Sequence, residues 1–516
     1  MRQRHLSTAV AAVVIALVSV TGLSAASFTL GPLVPVSGVS PFTAACDDAA
    51  GQTGTVFPNS EVEPWIDVNP TNPLNMIGVW QQDRWSNGGA RGLVAGVTMN
   101  GGMNWTMVNG LKTSLCTGGT ASNGGGYQRA TDPWVTFGPT GIAYQLSLSF
   151  NDLEAPLTTF DFDHALLASR STDGGLTWTN PVPVIRDTAP TVFNDKQSIT
   201  ADPTDANYVY AVWDRLVFPS SERASVVAAF RTSSFSGPAW FARSANAGLT
   251  WEPAKPIHDP GQRDQTIGNQ IVVQPDGTLV NIFTEFNNEN AKKRRGGFIR
   301  VLRSTDKGST WSGPFDVGRL GTIGNFDPET GDPVRTGDII PDIAVDSTSG
   351  TPTSGRLYAV WQDASVNGVP ADAIALSQSL DGGRSWSAPI KVNKTPTGIS
   401  AGNQQAFTMS VDVSADGTVA VTYYDFRFNT SATPLLTDYF VVHCHPTSPT
   451  ACLDPANWVD EQRLTNVSFD MRLAPFAGGF FTGDYEGLAS VGNAFTPFFS
   501  QPHAGDPSSV FFRRAG

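Results

Sequence analysis

Long helical periodicities are missing from this 516-residue chain, which sets helical folds aside. Glycine (51), proline (36), phenylalanine (30) and tryptophan (13) are plentiful instead, the profile of many short strands joined by turns. Cysteine is scarce. Cys46, Cys116, Cys444 and Cys452 include no C-x-x-C spacing, so a cysteine-based metal site is not expected. Histidines are few, and His164, His258, His443 and His445 lack metal-ligand spacing; no metal and no cofactor are expected. Lysine and arginine (33) are outnumbered by aspartate and glutamate (46), for a net charge of −13. That balance argues against nucleic acid or an anionic membrane surface as partner, while leaving room for a small anionic ligand in an arginine-lined cleft.

Apolar runs of spanning length are absent beyond the N-terminus, so no membrane span is expected. At that end, basic Met1–His5, an apolar stretch from Ala9 to Val20 and small residues over Gly22–Ala26 predict a signal peptide covering residues 1–26. The chain is therefore expected to be secreted and extracellular. In that setting the four cysteines read as two disulfides. Cys444 and Cys452 staple one hairpin, worth on the order of 2–3 kcal/mol by loop entropy. Cys46–Cys116 then ties the N-terminal segment to the first repeat unit.

What the chain does have is a repeat. Ser171-Thr-Asp-Gly-Gly-Leu-Thr-Trp178 has near-copies at 98–105, 244–251, 304–311 and 379–386, each closing on a tryptophan. A fixed turn recurring at such spacing signals a radial or stacked array. In each turn the Asp, or Asn100 and Asn246 in its place, can accept backbone N–H groups while glycine supplies positive φ. The tryptophan is expected to wedge between neighbouring sheets. Out of phase with these turns runs a second pattern of two short apolar runs, the second ending in an acid and often an arginine. Counting it gives seven units, the last beginning at Gly483 and holding only three strands.

The turns resemble the Asp-box, or bacterial neuraminidase repeat, of secreted bacterial sialidase-like β-propellers, over about Glu61 to Arg514. The resemblance implies an all-β propeller of four-stranded antiparallel blades spanning residues 60–516, after an extended segment over 27–59. Seven blades are expected, or six if the last unit completes the first. Strands from both termini should close the ring, the N-terminal one near Thr55–Phe57, so that no sheet edge stays exposed. In such propellers the boxes lie opposite the ligand site, which directs attention to the starts of first strands and the ends of second strands.

The resemblance further implies a carbohydrate or glycoconjugate substrate and an exo-α-sialidase-like activity in a monomer. A sialidase holds the substrate carboxylate with three arginines, attacks with a tyrosine assisted by a glutamate, and uses an aspartate as acid/base. By location, Tyr485 is the candidate nucleophile, Glu285 its partner, and Asp83 or Asp132 the acid/base. Arg84, Arg129, Arg215, Arg427, Lys196 and Trp85 are candidates for substrate binding. The family's Phe/Tyr-Arg-Ile-Pro signature is replaced by Glu61-Val-Glu63-Pro64-Trp65. Two other readings stay open. One is a uronate-polymer lyase with Tyr485 or Tyr127 as base beside Arg129 or Lys196. The other is a non-catalytic propeller that binds glycans or proteins.

Overall fold

The computed structural model describes residues 27–151, 163–189, 191–218, 236–288, 295–348 and 353–516; the expected signal peptide lies outside them. Among the described residues there is no α-helix, only short 3-10 turns, and no helix long and apolar enough to cross a membrane.

The second apolar run of each unit forms a strand buried along nearly its whole length, because neighbouring sheets cover both faces. Met76–Arg84, Leu357–Asp363 and Val419–Asp425 are examples. Around these strands the described residues make six antiparallel four-strand units in sequence order, the first two joined by a single Ala90–Ala130 pairing and the sixth extended by Phe469–Asp470. The first is Glu61–Val68, Met76–Arg84, Ala90–Thr98 and Thr106–Val108, and the sixth is Ala406–Val413, Val419–Asp425, Leu436–Cys444 and Trp458–Arg463. First strands of successive sheets pack on one another, Glu61–Val68 on Arg129–Phe137, that strand on Val192–Ala201, and so on to Ala406–Val413. Trp80, Trp213 and Trp361 sit wholly buried in second strands. Truncating any of them to alanine would cost about 3–5 kcal/mol.

The repeated turns share one hydrogen-bond pattern. Ser171 Oγ accepts from Gly175 N (2.9 Å) and donates to Asp173 Oδ1 (2.7 Å), which accepts from Thr177 N (2.9 Å). The Ser304–Asp306–Thr310 and Ser379–Asp381–Ser385 turns repeat it. A side chain at Gly175 (φ +98°) would strike Ile77 of the preceding sheet at 2.6 Å, so close sheet packing as well as conformation requires glycine there. The closing tryptophans reach back to the preceding sheet, as Trp311 does to Phe241 (5.4 Å between centroids) and Trp105 does to Phe512 of the last sheet (5.3 Å).

The last sheet holds Phe498–His503 and Asp506–Phe512, with Gly487 bridged to Phe498. Its outer partner is Val34–Pro35, paired with Phe511 and Phe512. The strand expected near Thr55–Phe57 instead bridges back to the first sheet, Val56 opposite Trp85. The Cys46–Cys116 disulfide explains the exchange: it pins the intervening chain to the first unit, so an earlier stretch passes the last sheet. Both disulfides pair as expected, and Cys444–Cys452 occupies the connection where the sixth unit lacks the repeated turn.

Candidate active site

Five first strands carry a bulge at one position. The register slips between Val62 and Trp65, Thr131 and Trp134, Asp195 and Ser198, Ile267 and Gln270, and Phe407 and Ser410. In each, one residue takes positive φ: Glu63 (+54°), Asp132 (+49°), Lys196 (+47°), Gly268 (+70°) and Thr408 (+45°). A bulge re-aims its side chain out of the pleat. Left-handed backbone at a non-glycine residue costs roughly 1–2 kcal/mol, so glycine is the relaxed choice, as at position 268. Glu63, Asp132 and Lys196 keep charged side chains under that strain and turn them toward one point.

They meet there. Lys196 Nζ donates to Asp484 Oδ2 (2.7 Å), Asp132 Oδ1 (2.8 Å) and Glu63 Oε1 (3.2 Å). Arg335 grips Asp484 with two bonds, Nε to Oδ1 at 2.9 Å and Nη2 to Oδ2. Burial pushes Glu63 up to about 7 against the pull of Lys196. Burial also raises Asp195, to about 6, with Asp132 adding to the effect. For Asp484 burial is overcome by Arg335 and Lys196, which hold it well below the usual carboxylate range. Burial would lower Lys196, but Asp132, Asp484 and Glu63 together hold it well above its ordinary value. Neighbouring carboxylates pushed in opposite directions are a common basis for dividing acid and base roles.

The cluster forms the floor of a cavity of about 570 Å³. Phe150, Phe193, Ile267 and Ile340 give it an apolar side, and Arg84, Arg129 and Arg335 a cationic one. Arg84 is buried; its Nη1 donates to Gln81 Oε1 (2.6 Å), its Nε has no partner among the described residues, and its guanidinium lies 4.9 Å over the Phe481 ring. Arg129 is held by Gln52 Oε1 (2.7 Å), Asn87 Oδ1 (2.9 Å) and backbone carbonyls, over Trp85 at 4.3 Å. Part of the wall is a three-stranded sheet made by two insertions. Asn325–Phe326 pairs with Pro333–Arg335, which runs parallel to Phe480–Phe481. This sheet delivers Arg335.

Of the residues singled out from sequence, Arg84, Arg129, Asp132 and Lys196 line this cavity. Tyr485 borders a smaller adjoining pocket with Asp132, Lys196 and Asp484. Its hydroxyl donates to Pro133 O (3.3 Å), its ring packs on Trp134 (5.3 Å), and burial, followed by the charge of Glu63, pushes its pKa well up. The others stand elsewhere. Asp83 accepts from Arg91 Nη1 (3.2 Å), Ser40 Oγ (2.9 Å) and Asn59 N (3.0 Å), holding the N-terminal segment. Glu285 pairs with Arg300 (2.6 Å) and lies 2.7 Å from His258 Nε2. Arg215 pairs with Asp187 (2.5 Å), and Arg427 with Asp425 (2.6 Å) and Glu461. Asp187 and Glu461 belong to the fourth strands of their sheets, so an acid on an outer strand captures each guanidinium.

Glu63, Asp195 and Asp484 fall at the strand starts to which the sequence directs attention but carry no sequence-assigned role, and Arg335 has no repeat to mark it. The available signal was length: more than twenty residues separate Arg319 from Asp342, and connections that long in a compact domain are commonly functional.

No family model matches the chain, and no curated protein does. Solved structures do. A Hadza microbial sialidase, Hz136, aligns with a TM-score of 0.45 and 14% identity over 75% of this chain and 66% of its own, so this chain spans just under two thirds of that protein. Sialidases and arabinanases both stand among the neighbours. A Penicillium chrysogenum α-L-arabinanase complexed with arabinobiose gives 0.43 and 11%, over 77% of this chain and 94% of its own. A NanB sialidase mutant from Streptococcus pneumoniae gives 0.43 and 10%, over 95% and 99%. Similarity at this level assigns neither substrate nor mechanism.

Proposed function

We propose that the protein is a secreted propeller glycoside hydrolase that removes a terminal acidic sugar at the floor of the 570 Å³ cavity. The observation that carries this reading is the convergence of Glu63, Asp132 and Asp484 on one lysine beside the buried Arg84. Six four-strand units and a seventh sheet that takes Val34–Pro35 as its outer partner support a ring of seven blades with this point on its axis. The disulfides Cys46–Cys116 and Cys444–Cys452 suit an exported protein.

In this reading Glu63 is the general acid. Its proton, retained up to about pH 7, passes to the glycosidic oxygen as the bond breaks. Asp132 attacks the anomeric carbon, and the Glu63 carboxylate then takes a proton from the water that releases the sugar. Asp132 and Glu63 bond the same Nζ at 2.8 and 3.2 Å, so their nearer oxygens lie within about 6 Å, close to the spacing of retaining enzymes and short of that needed to seat an inverting water. Asp484, gripped twice by Arg335, stays ionised and holds Lys196 in place. Arg84 supplies the cation for the sugar's own carboxylate. The hydroxyl of buried Tyr485 is engaged by Pro133 O, which favours Glu63 over the tyrosine as the group that moves protons.

The test is release of free sugar from α-sialosides, as an exo-α-sialidase requires, then from uronosides and neutral exo-glycosides. Turnover that falls at least a thousandfold in Glu63→Gln and survives in Tyr485→Phe is the expected result. No release from any member of the panel overturns the proposal, and loss in Tyr485→Phe alone moves the nucleophile to the tyrosine.

A further inference from the structure

Phe326 lines the cavity yet leaves 47% of its surface in solvent. An isolated exposed aromatic needs no explanation, but the backbone of this one is clamped. Gln405, 6% exposed and belonging to another unit, accepts from Phe326 N through Oε1 (2.8 Å) and donates to Phe326 O through Nε2 (2.7 Å). The preceding Asn325 is fixed in turn, its Oδ1 accepting from Gln362 Nε2 (2.7 Å) and Thr336 Oγ1 (2.8 Å). Buried amides thus hold rigid a residue whose ring contributes little to the core. Phe476 (45% exposed) flanks the same small sheet, bridged to Phe480, and Ile323 (52%) precedes it. Phe326 lines the cavity, Ile323 and Phe476 adjoin the lining residues Gly324 and Ala477, and all three lie on the two insertions that build its wall.

We infer that Phe326 is a specificity-determining platform on which the sugar next to the scissile bond stacks, so the substrate is an oligosaccharide or polysaccharide rather than a simple glycoside. The inference rests on the glycan reading above. Sugar rings present an apolar C–H face, and sites for such ligands combine aromatic walls with a few convergent polar groups. Rigid presentation lowers the ordering cost of binding. Charged groups at the floor would hold the terminal sugar, and Phe326 would read the one beyond it.

Calorimetric titration of wild type and Phe326→Ala with sialyllactose and sialic acid, and with a tri-uronide and its monosaccharide, tests this. The expected result is an oligosaccharide affinity about tenfold weaker in Phe326→Ala, a monosaccharide affinity unchanged, and recovery in Phe326→Tyr. The residue is nearly half exposed and lies outside the hydrophobic core clusters, so thermal unfolding of the variant should match wild type closely. Equal weakening for both sugars, or no weakening for either, overturns the platform. Because binding is read without turnover, a wild type that binds the oligosaccharides but hydrolyses nothing leaves the platform standing and fails only the catalytic reading. A wild type that binds none of the four sugars overturns both.

Discussion

Two ionic clusters look alike in sequence and differ in space. At Asp425–Arg427 the guanidinium is consumed by Asp425 and Glu461 and lies 3.6 Å over the Phe440 ring. At Asp83–Arg84 the aspartate turns away to Arg91, and the arginine is left in a cavity wall with one neutral partner and an unpartnered Nε. The first cluster is closed and ties the second strand of the sixth sheet to its fourth. The second opens onto a space and adjoins carboxylates whose pKa values are driven apart. An acid beside an arginine at a strand end therefore says little; whether an outer-strand acid reaches the guanidinium decides the outcome.

The sharpest way to break this comparison is to remove chemistry without removing charge balance. Glu63→Gln should lower kcat/KM by at least a thousandfold on the glycoside panel while shifting the unfolding temperature little, whereas Glu461→Gln should leave kcat/KM within a fewfold of wild type. Removing the cation should destabilise both clusters. Lys196→Met strands Asp132, and Arg427→Met strands Asp425, each at about 3–5 kcal/mol in denaturant unfolding, while Asp484 keeps Arg335. Only the lysine variant should also lose activity when assayed folded. A pH profile comes next. Glu63 is raised above its ordinary value, so its proton is present below about pH 7 and lost above it; kcat/KM should fall about tenfold per unit above pH 7. The smallest effect belongs to the repeated turns. Asp306→Ala should cost about 1 kcal/mol through lost turn hydrogen bonds and leave activity unchanged. Turn bonding lowers Asp306 to about 2, so its contribution is present above the ordinary carboxylate range and fades as pH falls toward 2. The difference in unfolding temperature between variant and wild type should shrink accordingly.

The turns were legible in the sequence because their hydrogen bonds are local, closing within five residues of Ser171 or Ser304. The sheet pattern was legible because buried second strands read as apolar runs. Sidedness at strand ends was not, since the outer-strand partners of Arg215 and Arg427 lie 28 and 34 residues away in sequence. The site was half legible. Asp132 and Lys196 stood at strand starts, but the bulge that turns them together is a register slip with no composition of its own, and Arg335 arrives on an insertion with no repeat to mark it.

The pairing of Val34–Pro35 with Phe511–Phe512 also has a kinetic meaning. The last sheet pairs residues more than 470 positions apart, so it cannot finish before Phe512 has been made. Bringing those ends together costs on the order of 5–6 kcal/mol of loop-closure entropy if nothing else is folded, and far less once the intervening sheets have shortened the gap. Sheet-by-sheet folding with this closure as the final step follows from that arithmetic.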